Sequence, residues 1–482
     1  MEEAIILKNP LPQVEGHHAQ WDGMKSKYPD LAKILDAIEK PQGLALVFSH
    51  DDPDGITSGL IFKRTLQKKG WKVVDKMPPG FALSTAQLDD TLKEYPETKA
   101  VFILDKGTLA SYSDFAKRFP VYIVDHHPTP KAPTNCLIFN PSLEKHTPCS
   151  TSLLAHGIAT LAGTREIFDD FLCLIGLKGD WAIEPVKGVL ADFAKPFFVE
   201  YGAAFKNLLT LLKERPTMFD AEQREYTCLL SRISEFVHGT GGGGFQYFYN
   251  DREETLRNVD HPACIAEALE GVSGKCEALK QISTLESFIQ LLPDPNKSLL
   301  KKIFLYFLKD WENADKILDT SVKAIQFEET GIYLFVGGKV PLLPMIGSIK
   351  LFDLRNTGKD KLGQIIMVSS VSPEYTHVSV RGTGDRVHSG KFCGQLESSL
   401  QGKYPQHKDK ISGGGHPRAA ECTVRTSGVS FLAVISQVVG QLTEMSEIDH
   451  RWKDNKTNRM SKGQFKRAKE LGLEYISDTN SN

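Results

Sequence analysis

Ser49-His50-Asp51-Asp52-Pro53-Asp54-Gly55-Ile56-Thr57-Ser58-Gly59 is the stretch from which the rest of the chain can be read. The apolar run Leu44-Ala45-Leu46-Val47-Phe48 precedes it, and a helical stretch follows from about Ile56 to Lys69. A strand, an acidic turn and a helix in that order put the acids at the C-terminal end of the strand, where open α/β sheets place their sites. Three carboxylates packed into such a turn repel one another unless a cation sits among them. Oxygen donors with one imidazole suit Mn2+ or Mg2+ better than zinc, which takes more nitrogen or sulfur. Taken alone, the stretch also reads as an Asp-rich turn with a helix N-cap.

The same habit recurs downstream. Ala100-Val101-Phe102-Ile103-Leu104 ends on Asp105-Lys106-Gly107, and Pro120-Val121-Tyr122-Ile123-Val124 ends on Asp125-His126-His127-Pro128. Trp71-Lys72-Val73-Val74 supplies a further strand. Apolar strands separated by helical stretches, each delivering Asp or His at its end, are what a doubly wound parallel sheet produces. Phe171 to Leu177 is an apolar helical run, and Asp180 just beyond it can turn into the same site or simply close the helix.

The chain has 482 residues, enough for two or three domains, with 41% hydrophobic and 24% charged residues. A formal net charge of −2 leaves no global basic field, so any nucleic-acid contact must rest on local charge. No apolar run approaches a membrane span, and the opening Met1-Glu2-Glu3-Ala4-Ile5-Ile6-Leu7 is acidic and too short for a signal peptide. The eight cysteines are scattered without a C-x-x-C pair, which fits reduced, mostly buried thiols in a cytoplasmic protein.

Residues 1–40 read as a helical lead-in, 41–197 as the first α/β domain and 198–330 as a mostly helical region with no assignable chemistry. The run Gly239-Thr240-Gly241-Gly242-Gly243-Gly244 lacks the Lys-Ser/Thr of a phosphate-binding loop and reads as a flexible loop. From about 331 strands return, so 331–445 forms a second domain. Its Ser412-Gly413-Gly414-Gly415-His416-Pro417-Arg418 offers bare backbone N–H groups for a phosphate, with His416 and Arg418 adding charge; the alternative is a tight turn. Residues 446–482 are polar and basic, with Arg451, Lys453, Lys456, Arg459, Lys462, Lys466, Arg467 and Lys469 and a short helix over Lys462 to Leu471. Such a tail is either a nucleic-acid-touching arm or a solvated face.

Four separated pieces, 49–55, 104–107, 124–127 and 176–180, resemble in order the motifs of the DHH phosphoesterase superfamily, named for the triplet present here as Asp125-His126-His127. Gly413-Gly414-Gly415-His416 with Ala419-Ala420 is similar to that family's DHHA1 substrate domain. The matches cover about 44–182 and 376–424. The resemblance implies a DHH domain with a helical extension, a smaller α/β DHHA1 domain and an active site in the cleft between them. It implies two divalent ions, usually Mn2+ with Mg2+ as the alternative, held by His50, Asp52, Asp54, Asp105, His126 and Asp180, with Asp105 bridging. His127 would meet the scissile phosphate or orient the nucleophile, and Asp125 would buttress the histidines. Ser379 and Arg381 resemble the family's Ser-x-Arg-Ser phosphate-contacting segment, although Gly382 replaces the second Ser.

Within the superfamily, the pyrophosphatase branch has a His where this chain has Phe48 and lacks the glycine-rich segment. The His-x-Asp-x-Asp-Gly spacing is closer to RecJ-like nucleases, in particular the archaeal-style branch, and no OB-fold pattern of the bacterial kind is present. The implied function is metal-dependent hydrolysis of single-stranded DNA or RNA from one end. Two alternatives stand beside it: a nanoRNase-like hydrolase of short oligonucleotides or cyclic dinucleotides, and a non-catalytic replication-complex subunit that binds DNA. Replication or repair proteins are the corresponding protein partners.

Overall fold

The computed structural model describes the chain apart from residues 1–3, 9–12, 79, 81, 130, 221–224, 243–251, 257–258, 339, 341, 455–460 and 474–482, and apart from the side chains of 451–454. The chain divides into two units, Met1–Phe307 and Leu308–Asn482.

The first unit is built on β1 (Leu44–Ser49), β2 (Lys72–Lys76), β3 (Thr98–Leu104), β4 (Val121–Val124) and β5 (Leu137–Phe139), in the order β2-β1-β3-β4-β5. Every pairing is parallel, so the doubly wound sheet expected from the strand ends is present. Ser49 pairs with Leu104 and Leu104 with Val124, which brings the C-terminal ends of β1, β3 and β4 side by side. The strand order reverses between β1 and β3, the switch point at which open sheets part their loops into a crevice.

Every residue of β1 is buried, as a strand covered on both faces requires. Its helices include α1 (Ile5–Lys8), α2 (His17–Lys27), α3 (Pro29–Ile38), α4 (Pro53–Lys68), α5 (Thr85–Glu94), α6 (Thr151–Leu161), α7 (Ile167–Gly179), α8 (Lys195–Tyr201) and α9 (Leu229–Gly241). On one face Leu46, Phe48, Val101 and Ile103 pack with Leu88 of α5 and with Tyr112 and Phe115. On the other, Phe102 meets Phe62 of α4 with ring centroids 5.1 Å apart. The lead-in is tied down through a buried relay, His17 Nε2 to His156 Nδ1 at 3.0 Å and His156 Nε2 to Asp170 Oδ1 at 2.8 Å. Two short ribbons complete the unit, β6 (Ile183–Glu184) with β7 (Val189–Leu190) and β8 (Leu211–Leu212) with β9 (Thr227–Cys228).

The second unit carries β10 (Ile325–Phe327), β11 (Thr330–Val336), β12 (Gln364–Ser372), β13 (Tyr375–Gly382), β14 (Ile411–Gly415) and β15 (Ala419–Val424), ordered β10-β11-β12-β13-β15-β14. Only β11 and β12 pair in parallel; the other pairings are antiparallel. Val378 and Val380 form a core with Phe392 and Leu396 of the helix Ser389–Lys403 and Val434 and Val438 of the helix Phe431–Asp454.

Three expectations shift. The second sheet begins at Ile325, before residue 331, and the helix Asn296–Thr320 spans the division between the units. The stretch after 445 is not a solvated tail up to Leu473: the expected helix is there as Lys462–Glu470, and Phe465, Ala468, Leu471 and Leu473 enter the unit's core. Its apolar residues recur at helical spacing and bury, while the lysines stay outside. Lys456 and Arg459 and the side chains of Arg451 and Lys453 lie outside the described residues. All eight cysteines are free thiols, and among the described residues no helix is long and apolar enough to cross a membrane.

Candidate metal centre

The ends of three adjacent strands and one helix converge. His50 follows β1, and Asp52 caps α4, its carboxylate accepting from Gly55 N at 2.8 Å. Asp54 lies in the first turn of α4, Asp105 follows β3 with φ 56°, His126 follows β4 and Asp180 caps the C-terminus of α7. Three groups form, within each of which one ligand-type atom per residue lies within 4.8 Å of the others: His50, Asp52 and Asp105; Asp54, Asp105, His126 and Asp180; and Asp105, His126 and His127. Asp105 belongs to all three, so the six residues expected as ligands stand together.

His126 Nε2 is 2.9 Å from Asp180 Oδ2 and 3.4 Å from Asp105 Oδ1. Yet this nitrogen and the Asp180 oxygen are buried and make no hydrogen bond of acceptable geometry. Buried polar atoms almost always find a partner, and an imidazole nitrogen and a carboxylate oxygen this close without a well-formed hydrogen bond are placed as two ligands of one cation would be. Carboxylate oxygens with a minority of imidazole nitrogens form a donor set that fits Mn2+ or Mg2+.

The electrostatics agree. Burial, then the charges of Asp54 and Asp52, push the Asp105 carboxyl well above its usual range. Burial raises Asp180 to about 8 against the pull of His126, with Asp54 adding to the rise. Burial alone would lower His126 and His50, but Asp180 lifts the first well above its ordinary value and Asp52 raises the second. Asp52 is held low by His50 in spite of its burial. Several ionisable carboxyls thus compete for two imidazoles, and positive charge is what the cluster lacks.

The supports are precise. Asp54 accepts from the first backbone amides of α6, Thr151 N at 2.6 Å and Ser152 N at 2.8 Å, a helix N-terminus used as an anion site. Gly176 makes the arrangement fit, since a Cβ there would stand 2.6 Å from Asp54 Oδ1. Thr151 Oγ1 donates to Asp105 Oδ1 at 3.0 Å. Asp125 accepts from His127 Nδ1 at 2.8 Å through one oxygen, and from Thr108 Oγ1 at 2.9 Å and Asn140 Nδ2 at 3.3 Å through the other. Burial and then the neighbouring His126 lower His127, so its ring is neutral and Nδ1–H points to Asp125.

Sequence reasoning missed Asn140, Thr151, Ser152 and His238. The first three carry no motif; they are ordinary polar residues placed by the sheet and by the start of α6. His238 lies in the last turn of α9, is buried and feels both Asp52 and His50, with Nε2 lacking a hydrogen-bond partner. The nearby glycines are the signal that could have found it. Gly239, Thr240 and Gly241 are not a loop but the buried end of α9, and Gly242 caps it. A Cβ on Gly241 would meet Ile56 Cδ1 at 2.7 Å and Asp51 O at 3.2 Å, so the small residue lets α9 reach the acidic turn. Gly243 and Gly244 lie outside the described residues.

The remaining expected residues belong to the second unit. Arg381, expected to touch phosphate, is buried with its donors engaged: Nε to Pro344 O at 2.8 Å, Nη1 to Val380 O and Ala420 O at 3.1 and 3.2 Å, and Nη2 to Glu421 Oε1 at 3.3 Å. Ser379 is buried too, and its Oγ makes no hydrogen bond. Gly413, Gly414 and Gly415 form edge strand β14 instead of a free loop. Gly413 packs closely on the helix Ser389–Lys403, where a Cβ would stand 2.5 Å from Cys393 O, whereas a Cβ on Gly414 would meet nothing within 4 Å. His416 and Arg418 sit on the exposed turn from β14 to β15.

Residues 45–172 match the DHH family, N-terminal domain. Among solved structures, the DHH domain of a member of the S1p family of ribosomal proteins aligns at TM-score 0.53 with 15% identity, over 89% of this chain and 92% of that one. RecJ from Thermus thermophilus in complex with Mn2+ aligns at 0.49 with 14% identity over 90% of this chain, which spans about half (55%) of the RecJ chain. CDC45 from Entamoeba histolytica aligns at 0.43 with 11% identity, over 88% and 99% of the two chains. At such identities the likeness is one of fold. No curated protein matches the sequence.

Proposed function

We propose, from the match of residues 45–172 to the DHH family, N-terminal domain, that the chain is a divalent-metal-dependent phosphodiesterase that hydrolyses single-stranded nucleic acid as a RecJ-like exonuclease. The observation that carries the reading is the pair of ligand groups sharing Asp105, with the buried His126 Nε2 and Asp180 Oδ2 left without hydrogen bonds. His50, Asp52 and Asp105 would hold one ion, and Asp54, Asp105, His126 and Asp180 the other. Mn2+ is the ion of choice because imidazole nitrogens share the set with carboxylates; Mg2+ is the substitute. When bound, such ions acidify water to near-neutral pKa and offset the charge of the phosphoryl group.

The chain's own residues do the positioning. Asp125 fixes the His127 ring through Nδ1, so its Nε2 carries the lone pair and serves to orient the attacking water or to meet the phosphate. The amides of Thr151 and Ser152 keep Asp54 in place, and Thr151 Oγ1 holds Asp105. We read the second unit as a DHHA1-type substrate domain. Gly414, Gly415, His416 and Arg418 are its substrate contacts, with Arg381 and Glu421 bracing β13 against β15 behind them.

The test is hydrolysis of 5′-labelled and 3′-labelled single strands, DNA and RNA, from a dinucleotide to about thirty residues, with Mn2+ and with chelator. The reading requires metal-dependent cleavage of the long strands, and the label gives polarity. Cleavage confined to the shortest oligomers moves the protein to the nanoRNase-like reading, and no cleavage of any strand refutes the exonuclease and puts cyclic dinucleotides and the binding subunit next in line.

A further inference from the structure

Trp181 follows Asp180 directly, and two features of it are unusual. The residue is 45% exposed, whereas Trp21, Trp71 and Trp311 are at most 6% exposed. Its backbone has φ 54°, the left-handed conformation that side chains with a Cβ rarely adopt. The local hydrogen bonds explain why that conformation is needed. Ala182 N donates to Leu177 O at 2.9 Å and Trp181 N to Lys178 O at 3.2 Å, the two bonds of a Schellman motif closing α7. The left-handed position of that motif is normally glycine, and a tryptophan there costs stability that glycine would not. The backbone of the motif therefore gives no reason for a tryptophan, and an unfavourable backbone held beside a candidate site is an observation from which function can be inferred.

The ring has a defined seat. Its centroid is 5.5 Å from that of Phe219 at a tilt of 50°, and Phe219 is 5.9 Å from His238 in an edge-on contact. His238 in turn feels Asp52 and His50. A row of rings thus runs from the surface beside Asp180 to the acidic turn. A ligand that places a phosphate at the cluster and meets Trp181 must carry a planar, polarisable group close to that phosphate. Inorganic phosphate chains have none; a nucleotide unit has one for each phosphate.

We propose that the Trp181 indole is the stacking platform for the nucleobase adjoining the phosphate at the acidic cluster. The proposal rests on the phosphodiesterase reading and narrows its substrate class to base-bearing nucleic acid. The role is one of binding: the indole touches substrate and takes no part in proton or metal chemistry.

The experiment compares binding of two fluorescein-labelled phosphorothioate strands of about ten residues, one with bases and one fully abasic, by anisotropy in Mn2+. The variants are Trp181→Gly, which removes the ring and suits the backbone, and Trp181→Phe, which keeps a ring. The wild type is expected to prefer the base-bearing strand by roughly tenfold. Trp181→Gly should erase most of that preference while its Tm stays equal or rises and its Mn2+ affinity, read by electron paramagnetic resonance, is unchanged. Trp181→Phe should keep most of it. A Trp181→Gly protein that retains the full preference overturns the proposal, as does a wild type that binds neither strand. Hydrolysis of unmodified strands is scored separately. A wild type that hydrolyses them without base preference refutes the platform alone, and one that binds through the bases but hydrolyses nothing refutes the phosphodiesterase reading alone.

Discussion

The acidic cluster of the first unit and the Arg381–Glu421 cluster of the second both place charges in buried surroundings, and they differ in how those charges are balanced. Arg381 gives its donors to three carbonyls and to Glu421, and Glu421 accepts from His377 Nε2 at 3.0 Å as well. Burial would raise the Glu421 carboxyl, yet His377 and Arg381 hold it down at about 2. In the first unit the carboxyls of Asp105 and Asp180 are pushed up instead, and buried atoms are left without hydrogen bonds. A cluster that satisfies itself braces a fold; one that cannot is built around something it binds. In the sequence Arg381 reads as a phosphate contact and the acidic turn as metal chemistry, and the partners of each atom are what distinguish the two clusters.

The largest effect expected from this contrast is at Asp105. Asp105→Ala should lower hydrolysis by on the order of a thousandfold or more, because the residue belongs to every ligand group. With chelator present, the same variant should unfold at an equal or higher temperature, since a repelling carboxyl is gone. Hydrolysis at the wild-type rate would remove the metal assignment. Arg381→Ala should do the opposite. Removing the buried guanidinium leaves the half-buried Glu421 with His377 alone and takes a donor from the carbonyls of Pro344, Val380 and Ala420, which should cost about 1–3 kcal/mol, read as faster hydrogen exchange across β13 and β15, with Mn2+ affinity unchanged. If exchange is unaltered, the brace is not one. Asn140→Ala lies between them: it takes one donor from Asp125 and one from the His127 carbonyl. Metal affinity, measured calorimetrically, should weaken by about 10- to 100-fold, and a wild-type affinity would show that Thr108 alone suffices.

How much of this could be read from the residues follows the same division. The strands, their parallel order and the acids at their ends were legible because a buried strand writes a continuous apolar run and an active turn breaks it abruptly. The strand ends could be assigned to one site for that reason; the resemblance to the DHH superfamily implied His50, Asp52, Asp54, Asp105, His126 and Asp180 as its ligands, and these six converge. His238 could not, because nothing in Val237-His238-Gly239 says that α9 ends beside the acidic turn; that depends on how Gly241 packs. Gly413 read together with Gly414 and Gly415 as a phosphate loop because glycine has two uses, bare amides and close packing, and the sequence does not say that a neighbouring helix demands the second at Gly413. The basic residues after 445 hid a helix whose apolar side, Phe465 and Ala468, is core. Charge is conspicuous in a sequence, and the few apolar positions that decide burial are not.

A pH dependence separates the two clusters by sign. Glu421 titrates at about 2 in the fold against 4.5 for the ordinary group, so the folded state binds fewer protons than the unfolded one in between. Its contribution is present above pH 4.5 and is lost as pH falls toward 2. Asp180 titrates at about 8 against 3.8, so without metal its carboxyl favours the fold at low pH, and that support is lost as pH rises from about 4 to 8. In chelator, therefore, hydrogen exchange should reveal opposite trends: β13 and β15 loosen toward acid, whereas the start of α4 and the end of α7 loosen toward neutral pH. Each pH unit across such a window is worth at most about 1.4 kcal/mol per group. Asp180→Asn should flatten the second trend and leave the first, and Glu421→Gln the reverse. Added Mn2+ should abolish the Asp180 trend only, since a bound cation keeps the carboxylate ionised at every pH where it binds. If Mn2+ flattened both trends, or neither, the division between a self-satisfied brace and a cluster built for a cation would fail.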